Sequence, residues 1–184
     1  SCFPEPPPPG PALELRGILD FTVPAGGSNG KAIHVVANVD IPDLSIYGLG
    51  VANNGGGTDG VEFVFPAEAA SAGDHILAAP SPEAMESYFG SCSSIFSVMY
   101  LDDGSTNLNG TSAGIGQNGD DAIELFVNDG TDWTRIEVFG DPDVDGSNEP
   151  WEYLDTWAYK VEGAWTFGEL NCTDNTTTIA DSTC

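Results

Sequence analysis

Basic side chains are nearly absent: 4 Lys and Arg stand against 29 Asp and Glu, for a formal net charge of −25. Nucleic-acid binding depends on lysines and arginines that displace condensed counterions, and anionic lipid surfaces attract the same residues. A field of this sign repels both, so neither nucleic acid nor membrane is expected as a partner. Histidine is scarce as well, and neither His34 nor His75 falls in an H-E-x-x-H or related ligand pattern. There is no G-x-S-x-G elbow, phosphate-binding loop or dinucleotide fingerprint. No apolar run reaches the ~20 residues that a membrane-spanning helix needs. Acidic residues offer many carboxylate pairs for a secreted hydrolase, but their separation in space is not readable from the chain. No catalytic residue is assigned, and the chain is expected not to be an enzyme.

What is plentiful is turn formers: 23 Gly and 13 Pro in 184 residues favour short strands joined by turns over long helices. The length suits one domain with a proper core. Residues 1–12 form a proline-rich arm, reading CFPEPPPPGP from Cys2 to Pro11; the run Pro6 to Pro9 favours an extended polyproline segment, as a spacer or a docking peptide. Leu13 and Leu15 then alternate with Glu14 and Arg16, as in a half-buried strand. Further strands are predicted at residues 31–39, 44–51, 61–65, 75–79, 95–101, 122–127, 135–139 and 153–161. One helix is predicted from Glu83 to Phe89, with Ser81 as N-cap, Pro82 in the first turn and Gly90 closing it. Roughly nine short strands and one small helix describe an all-β sandwich over residues 13–170, followed by a Thr-rich tail over 171–184.

Four cysteines, Cys2, Cys92, Cys172 and Cys184, are even in number and contain no C-x-x-C pair. That pattern suits two disulfides in an oxidising, extracellular setting, with three connectivities possible. Cys172 with Cys184 is preferred because the pair encloses the short tail, which leaves Cys2 for Cys92. Sequons at Asn109, Asn171 and Asn175 are candidate glycosylation sites. A chain opening at Ser1 reads as a mature product whose leader has been removed.

The sharpest local motif runs Asp141-Pro142-Asp143-Val144-Asp145-Gly146-Ser147 and on to Glu152. It has the D-x-D-x-D-G spacing of a calcium loop, with a glutamate at the twelfth position to close the sphere. Asp141, Asp143, Asp145, Glu152 and the Ser147 carbonyl are the predicted calcium ligands; a plain surface turn is the alternative. Asp120-Asp121 and Asp102-Asp103-Gly104 are read as turn corners, with a second cation site as the alternative. Tyr153, Trp157 and Tyr159 share one face if residues 153–161 are a strand, either as a sugar-stacking platform or as core. His34, within an apolar strand, is expected to be a satisfied buried histidine.

Several blocks together resemble the lamin-tail-like domain family, of the extracellular bacterial and marine type. Asn29-Gly30-Lys31-Ala32-Ile33 is similar to its N-K-A-I-E strand, and Asp43-Leu44-Ser45-Ile46-Tyr47-Gly48-Leu49 to its D-L-S-G-Y-x-L strand. Asn118-Gly119-Asp120-Asp121-Ala122-Ile123-Glu124-Leu125 resembles N-G-D-D-A-I-E-L, and Glu137-Val138-Phe139-Gly140 resembles D-V-F-G. Gly146 to Trp151 and Ala158-Tyr159-Lys160 are similar to the end of such domains, so the match runs from Leu13 to Lys160 in order. His34 stands where the family has an acid. The resemblance implies an immunoglobulin-like β-sandwich that serves secreted proteins as an accessory module, and it supplies no catalytic residues. The expected function is a secreted structural or interaction module, stabilised by calcium, that assembles with itself, as in a filament or matrix, or with other extracellular proteins. A carbohydrate-binding domain that takes glycans is the alternative.

Overall fold

A computed structural model of the chain describes residues 10–22 and 28–184. They form ten strands in two sheets and one α-helix: β1 (Leu13–Phe21), β2 (Gly30–Ala37), β3 (Tyr47–Ala52), β4 (Phe63–Val64), β5 (His75–Ala79), α1 (Pro82–Phe89), β6 (Val98–Leu101), β7 (Ala122–Asn128), β8 (Trp133–Phe139), β9 (Trp157–Val161) and β10 (Ala164–Phe167). One sheet runs β10-β9-β1-β2-β5-β6 and the other β4-β3-β7-β8. Every pairing is antiparallel except β5 with β6, the pair that α1 connects. Leu13, Leu15, Ile18, Ile33, Val35 and Ile76 of the first sheet pack on Leu49, Val51, Ile123, Leu125 and Phe139 of the second. Burial of that shared apolar face is the main favourable term in the fold.

The local rules that predicted α1 operate as expected. Ser81 Oγ accepts from the Ala84 amide (3.3 Å), Pro82 opens the first turn, and Gly90 closes the helix at φ 56°. Several predicted strands are shorter than expected: 31–39 ends at Ala37, 61–65 keeps only Phe63–Val64, and 95–101 begins at Val98 after the 3₁₀ turn Gly90–Ile95. Leu44–Ile46 is a 3₁₀ turn because Asp43 caps it, accepting from the Ser45 amide at 2.9 Å. The last predicted strand begins only at Trp157, since Tyr153 sits fully buried in a turn with its hydroxyl on the Asp121 carbonyl (3.0 Å). Strand β10, which the pattern did not announce, follows a two-residue turn at Glu162 and Gly163. Both have positive φ (49° and 81°), the twist a tight hairpin needs.

Two β-bulges set which residues face where. In β1, Leu15 pairs with Val35 but the next partner pair is Gly17 with His34, so Arg16 is the extra residue. The bulge reverses the alternation. Leu13, Leu15 and Ile18 all reach the core, and Gly17, Leu19 and Phe21 turn to the outer face. In β8, Leu125 opposes Glu137 and Phe126 opposes Arg135, which leaves Ile136 unpaired. Arg135 therefore turns outward to the buried Glu124 (2.5 Å), while Glu137 points between the sheets. There Glu137 Oε2 accepts the Leu15 amide at the β1 bulge (2.8 Å), and Oε1 meets the Lys160 ammonium.

Glu137→Ala should therefore leave the bulge amide without an acceptor and the Lys160 ammonium with only the longer Glu14 contact (3.6 Å), costing ~2 kcal/mol or more of unfolding free energy. Glu137→Gln should cost less, because one acceptor remains. Urea titration of the three proteins measures this; a loss below ~1 kcal/mol for the alanine variant would contradict the anchoring role.

Candidate functional site

The outer face of β1, exposed by the bulge, becomes the floor of a cleft of about 420 Å³. Gly17, Leu19 and Phe21 line it, with His34 of β2 and Trp157, Tyr159 and Val161 of β9 beside them. Helix α1 and the 3₁₀ turn Gly90–Ile95 form one wall through Tyr88, Phe89, Ile95 and Phe96. The C-terminal tail forms the other through Thr173, Ile179, Ser182 and Cys184.

The tail holds its place by covalent and polar links. Cys172 and Cys184 are disulfide-bonded, the pairing preferred from sequence. Thr173 Oγ1 donates to the Asp155 carbonyl (2.7 Å), and Thr176 Oγ1 lies 3.0 Å from the Tyr88 hydroxyl. Thr173 and Thr176 are both buried, so the Thr-rich composition of the tail is that of a wall. Cys92 is exposed and has no disulfide partner among the described residues; the expected bond to Cys2 lies outside them.

The lining of the cleft differs from the rest of the chain in carrying no charged side chain. None of its lining residues is Asp, Glu, Lys or Arg, although 29 acids are spread over 184 positions. His34 is buried at the floor, its Nε2 2.9 Å from His75 Nδ1, edge-on to Phe96 and stacked with Tyr159. Burial, with smaller repulsion from His75 and Arg16, pushes its pKa down to about 3, so the floor is neutral at physiological pH. An uncharged, aromatic-walled cleft of this size has the lining typical of sites that take apolar groups.

The predicted calcium ligands lie on one surface loop, and three of them each cap one of its amides with a single oxygen. Asp141 Oδ1 accepts the Asp143 amide (3.0 Å), Asp145 Oδ1 the Ser147 amide (2.9 Å), and Glu152 Oε2 the Asn148 amide (2.9 Å). Ser147 Oγ donates to Asp120 at 2.9 Å. Among the described residues no group of three or more His, Cys, Asp or Glu is placed to hold a metal ion. The acidic corners are also pins: Asp121 accepts from the Asn54 and Asn118 amides (2.7 and 3.0 Å), and Asp102 from Ile115 (2.5 Å). Of the sequon asparagines, Asn171 and Asn175 are exposed. Asn109 is half-buried, donating to Glu62 at 3.1 Å.

Of the three rings read as one face, Trp157 and Tyr159 share the cleft and Tyr153 does not, because the strand starts after it. Sequence reasoning missed Gly17, Tyr88, Phe89, Ile95, Phe96 and Ile179. The alternation through Leu15 hides the bulge that turns Gly17 outward, and nothing local announces that the tail returns to α1. Compared with protein-family models, curated proteins and solved structures, the chain has no match.

Burial of neutral His34 has a signed consequence. Between the folded value of about 3 and the ordinary histidine value of 6.5 the unfolded chain holds more protons, so this stabilisation is full above that window and drains as pH falls through it. Wild type should lose up to ~1.4 kcal/mol per pH unit more than His34→Gln between about pH 6 and 4. Denaturant midpoints of both proteins across that range measure the difference; parallel curves would refute it.

Proposed function

We propose that this is an extracellular, non-catalytic interaction module, and that its outer-face cleft is the docking surface for an extended apolar segment. The observation that carries the reading is the lining: aromatic, aliphatic and free of charge in a chain of net charge −25. Exposed charge keeps such a chain apart from its like, so association is confined to the one place where the field has no local source. A proline-rich or aromatic peptide fits, since it brings apolar surface and little conformational entropy to lose. Such a segment belongs to a second copy or to another extracellular protein. The Cys172–Cys184 disulfide agrees with an extracellular setting. The two-sheet architecture supports an immunoglobulin-like domain of the lamin-tail-like kind.

The test is titration of an uncharged proline- and phenylalanine-containing peptide, followed by tryptophan fluorescence through Trp157. It is run on the chain and on its Gly17→Leu variant. Gly17 carries no side chain, and a Cβ there would lie 3.4 Å from His34 and Tyr159; Gly17→Leu should fill the floor. Expected is saturable binding that Gly17→Leu weakens at least about tenfold, ~1.4 kcal/mol, at an unchanged melting temperature. Binding untouched by Gly17→Leu, or no binding by any of these proteins, would overturn the reading.

Calcium, as a further proposal, rests on the spacing of the Asp141–Glu152 loop. Asp141, Asp145 and Glu152 each give one carboxylate oxygen to a loop amide, which leaves the other oxygen for a cation. The expected outcome is a melting temperature that falls in chelator and rises with the logarithm of free calcium, a rise that Asp143→Asn removes. A melting temperature indifferent to calcium would leave the loop as an amide-capped turn.

A further inference from the structure

Lys160 on β9 meets Glu137 on β8 between the two sheets. The two strands belong to opposite sheets, so this contact joins one layer of the sandwich to the other. It is screened from water, the two side chains being 10% and 18% exposed. Trp165 lies under the Lys160 nitrogen, its ring centre 5.1 Å away, and packs on Phe139 with ring centres 4.7 Å apart. A second carboxylate completes the group. Glu14 Oε1 of β1 lies 3.6 Å from the Lys160 nitrogen, while its Oε2 accepts from Asn38 Nδ2 at 2.9 Å. Arg16 approaches the same Oε1, also at 3.6 Å. An amine, the carboxyl it touches and a further carboxylate within reach are the parts that an amide condensation needs: nucleophile, acyl carbon and proton carrier.

We propose that Lys160 and Glu137 join in an isopeptide bond once the chain has folded, with Glu14 as the proton carrier. None of the three lines the cleft, and the bond forms whether or not the cleft takes a peptide.

The step balances without any further reactant. One proton moves within the contact, from the ammonium to the Glu137 carboxylate, leaving an amine and an acid. The Lys160 Nζ lone pair then attacks Glu137 Cδ. Glu14 takes a proton from the attacking nitrogen and returns it to the Glu137 hydroxyl, which leaves as water. Ammonium and carboxylate have become a neutral amide and one water, and no electrons have been gained or lost.

Two features of the site favour the product. In dilute solution hydrolysis of an amide prevails, but a pair held in contact reacts at an effective molarity of about 10⁵ M or more, and a site with little water withholds the reverse reactant. The product also keeps the bonds the site already makes. Glu137 Oε2 becomes the amide oxygen and still accepts the Leu15 amide (2.8 Å), and the remaining Nζ–H has Glu14 Oε1 as its acceptor. Two charges withdrawn from water are replaced by one neutral group, which removes their desolvation cost. The bond staples β8 to β9 and, like a disulfide, limits the freedom of the unfolded chain; unlike one, it resists reductant.

The experiment is the intact mass of the full chain, with thiols reduced and capped, beside Lys160→Arg and Glu14→Gln. The wild type should be lighter than its sequence by one water. Trypsin should fail to cut it after Lys160. A protease that cuts at aspartate should release one branched product holding Glu137 and Lys160, although Asp141, Asp143, Asp145 and Asp155 lie between them. Lys160→Arg keeps a cation on Glu137 but has no amine that can give up its charge, and should show its full mass. Freshly synthesised Glu14→Gln should close the bond at least ~10-fold more slowly than the wild type. A wild type of full mass would overturn the proposal. So would a water loss that maps to an Asp-Gly pair such as Asp145-Gly146, the mark of a succinimide, with trypsin still cutting after Lys160. Glu14→Gln closing as fast as the wild type would overturn the role given to Glu14.

Discussion

Glu137 stands between the two sheets with its carboxylate oxygens committed in different directions, one to the Leu15 amide at the β1 bulge and one to the Lys160 ammonium. A second bulge, at Ile136, is what aims it inward. Without the β1 bulge, Gly17, Leu19 and Phe21 would continue the inward phase set by Leu13 and Leu15, and Ile18 would face out. With it, the core gains Ile18 and the outer face gains an apolar floor. The cleft is therefore a consequence of how one strand is kept out of phase with itself. A bulge leaves a backbone amide without a ladder partner, and a charged acceptor is the strongest way to satisfy it.

The same economy runs through the chain's unusual charge. All four basic residues face carboxylates: Lys31 on Asp20 (2.9 Å), Arg135 on Glu124, Lys160 on Glu137, and Arg16 on Glu14 (3.6 Å). Other acids are drawn inward to hold loops, as Glu62 holds the Val51 amide (3.0 Å). Burial together with Asp59 raises the Glu62 pKa to about 7. Acidity is thus partly a structural material here, in which carboxylates pin loops rich in glycine and asparagine. The uncharged cleft stands out against that background, and a positive surface for anionic partners has no side chains from which to be built.

Local chemistry made much of the fold legible. Ser81, Pro82 and Gly90 marked α1, Leu13 and Leu15 marked the start of β1, and the short span between Cys172 and Cys184 marked their bond. What could not be read depends on distant partners. The alternation of residues 13–16 gives no sign of a bulge, because the Glu137 that holds it lies more than a hundred residues later. Tyr153 looked like the first residue of a strand, and only the Asp121 carbonyl beyond it makes it a buried turn residue. The D-x-D-x-D-G loop has a spacing that suits a cation, and Asp141 and Asp145 also cap amides of their own loop with one oxygen each. The cleft itself needs β1, β9, α1 and the tail together, so no single stretch of sequence could announce it.

Native-state hydrogen exchange at the Leu15 amide tests the central claim most directly. This amide faces a bulge and has a side-chain acceptor in place of a ladder carbonyl. If Glu137 holds the β1 phase, Leu15 should exchange as slowly as neighbouring core amides of β2, through global unfolding alone. Exchange at the rate of an open loop would mean that the bulge is not anchored, and that neither the phase of β1 nor the cleft depends on Glu137.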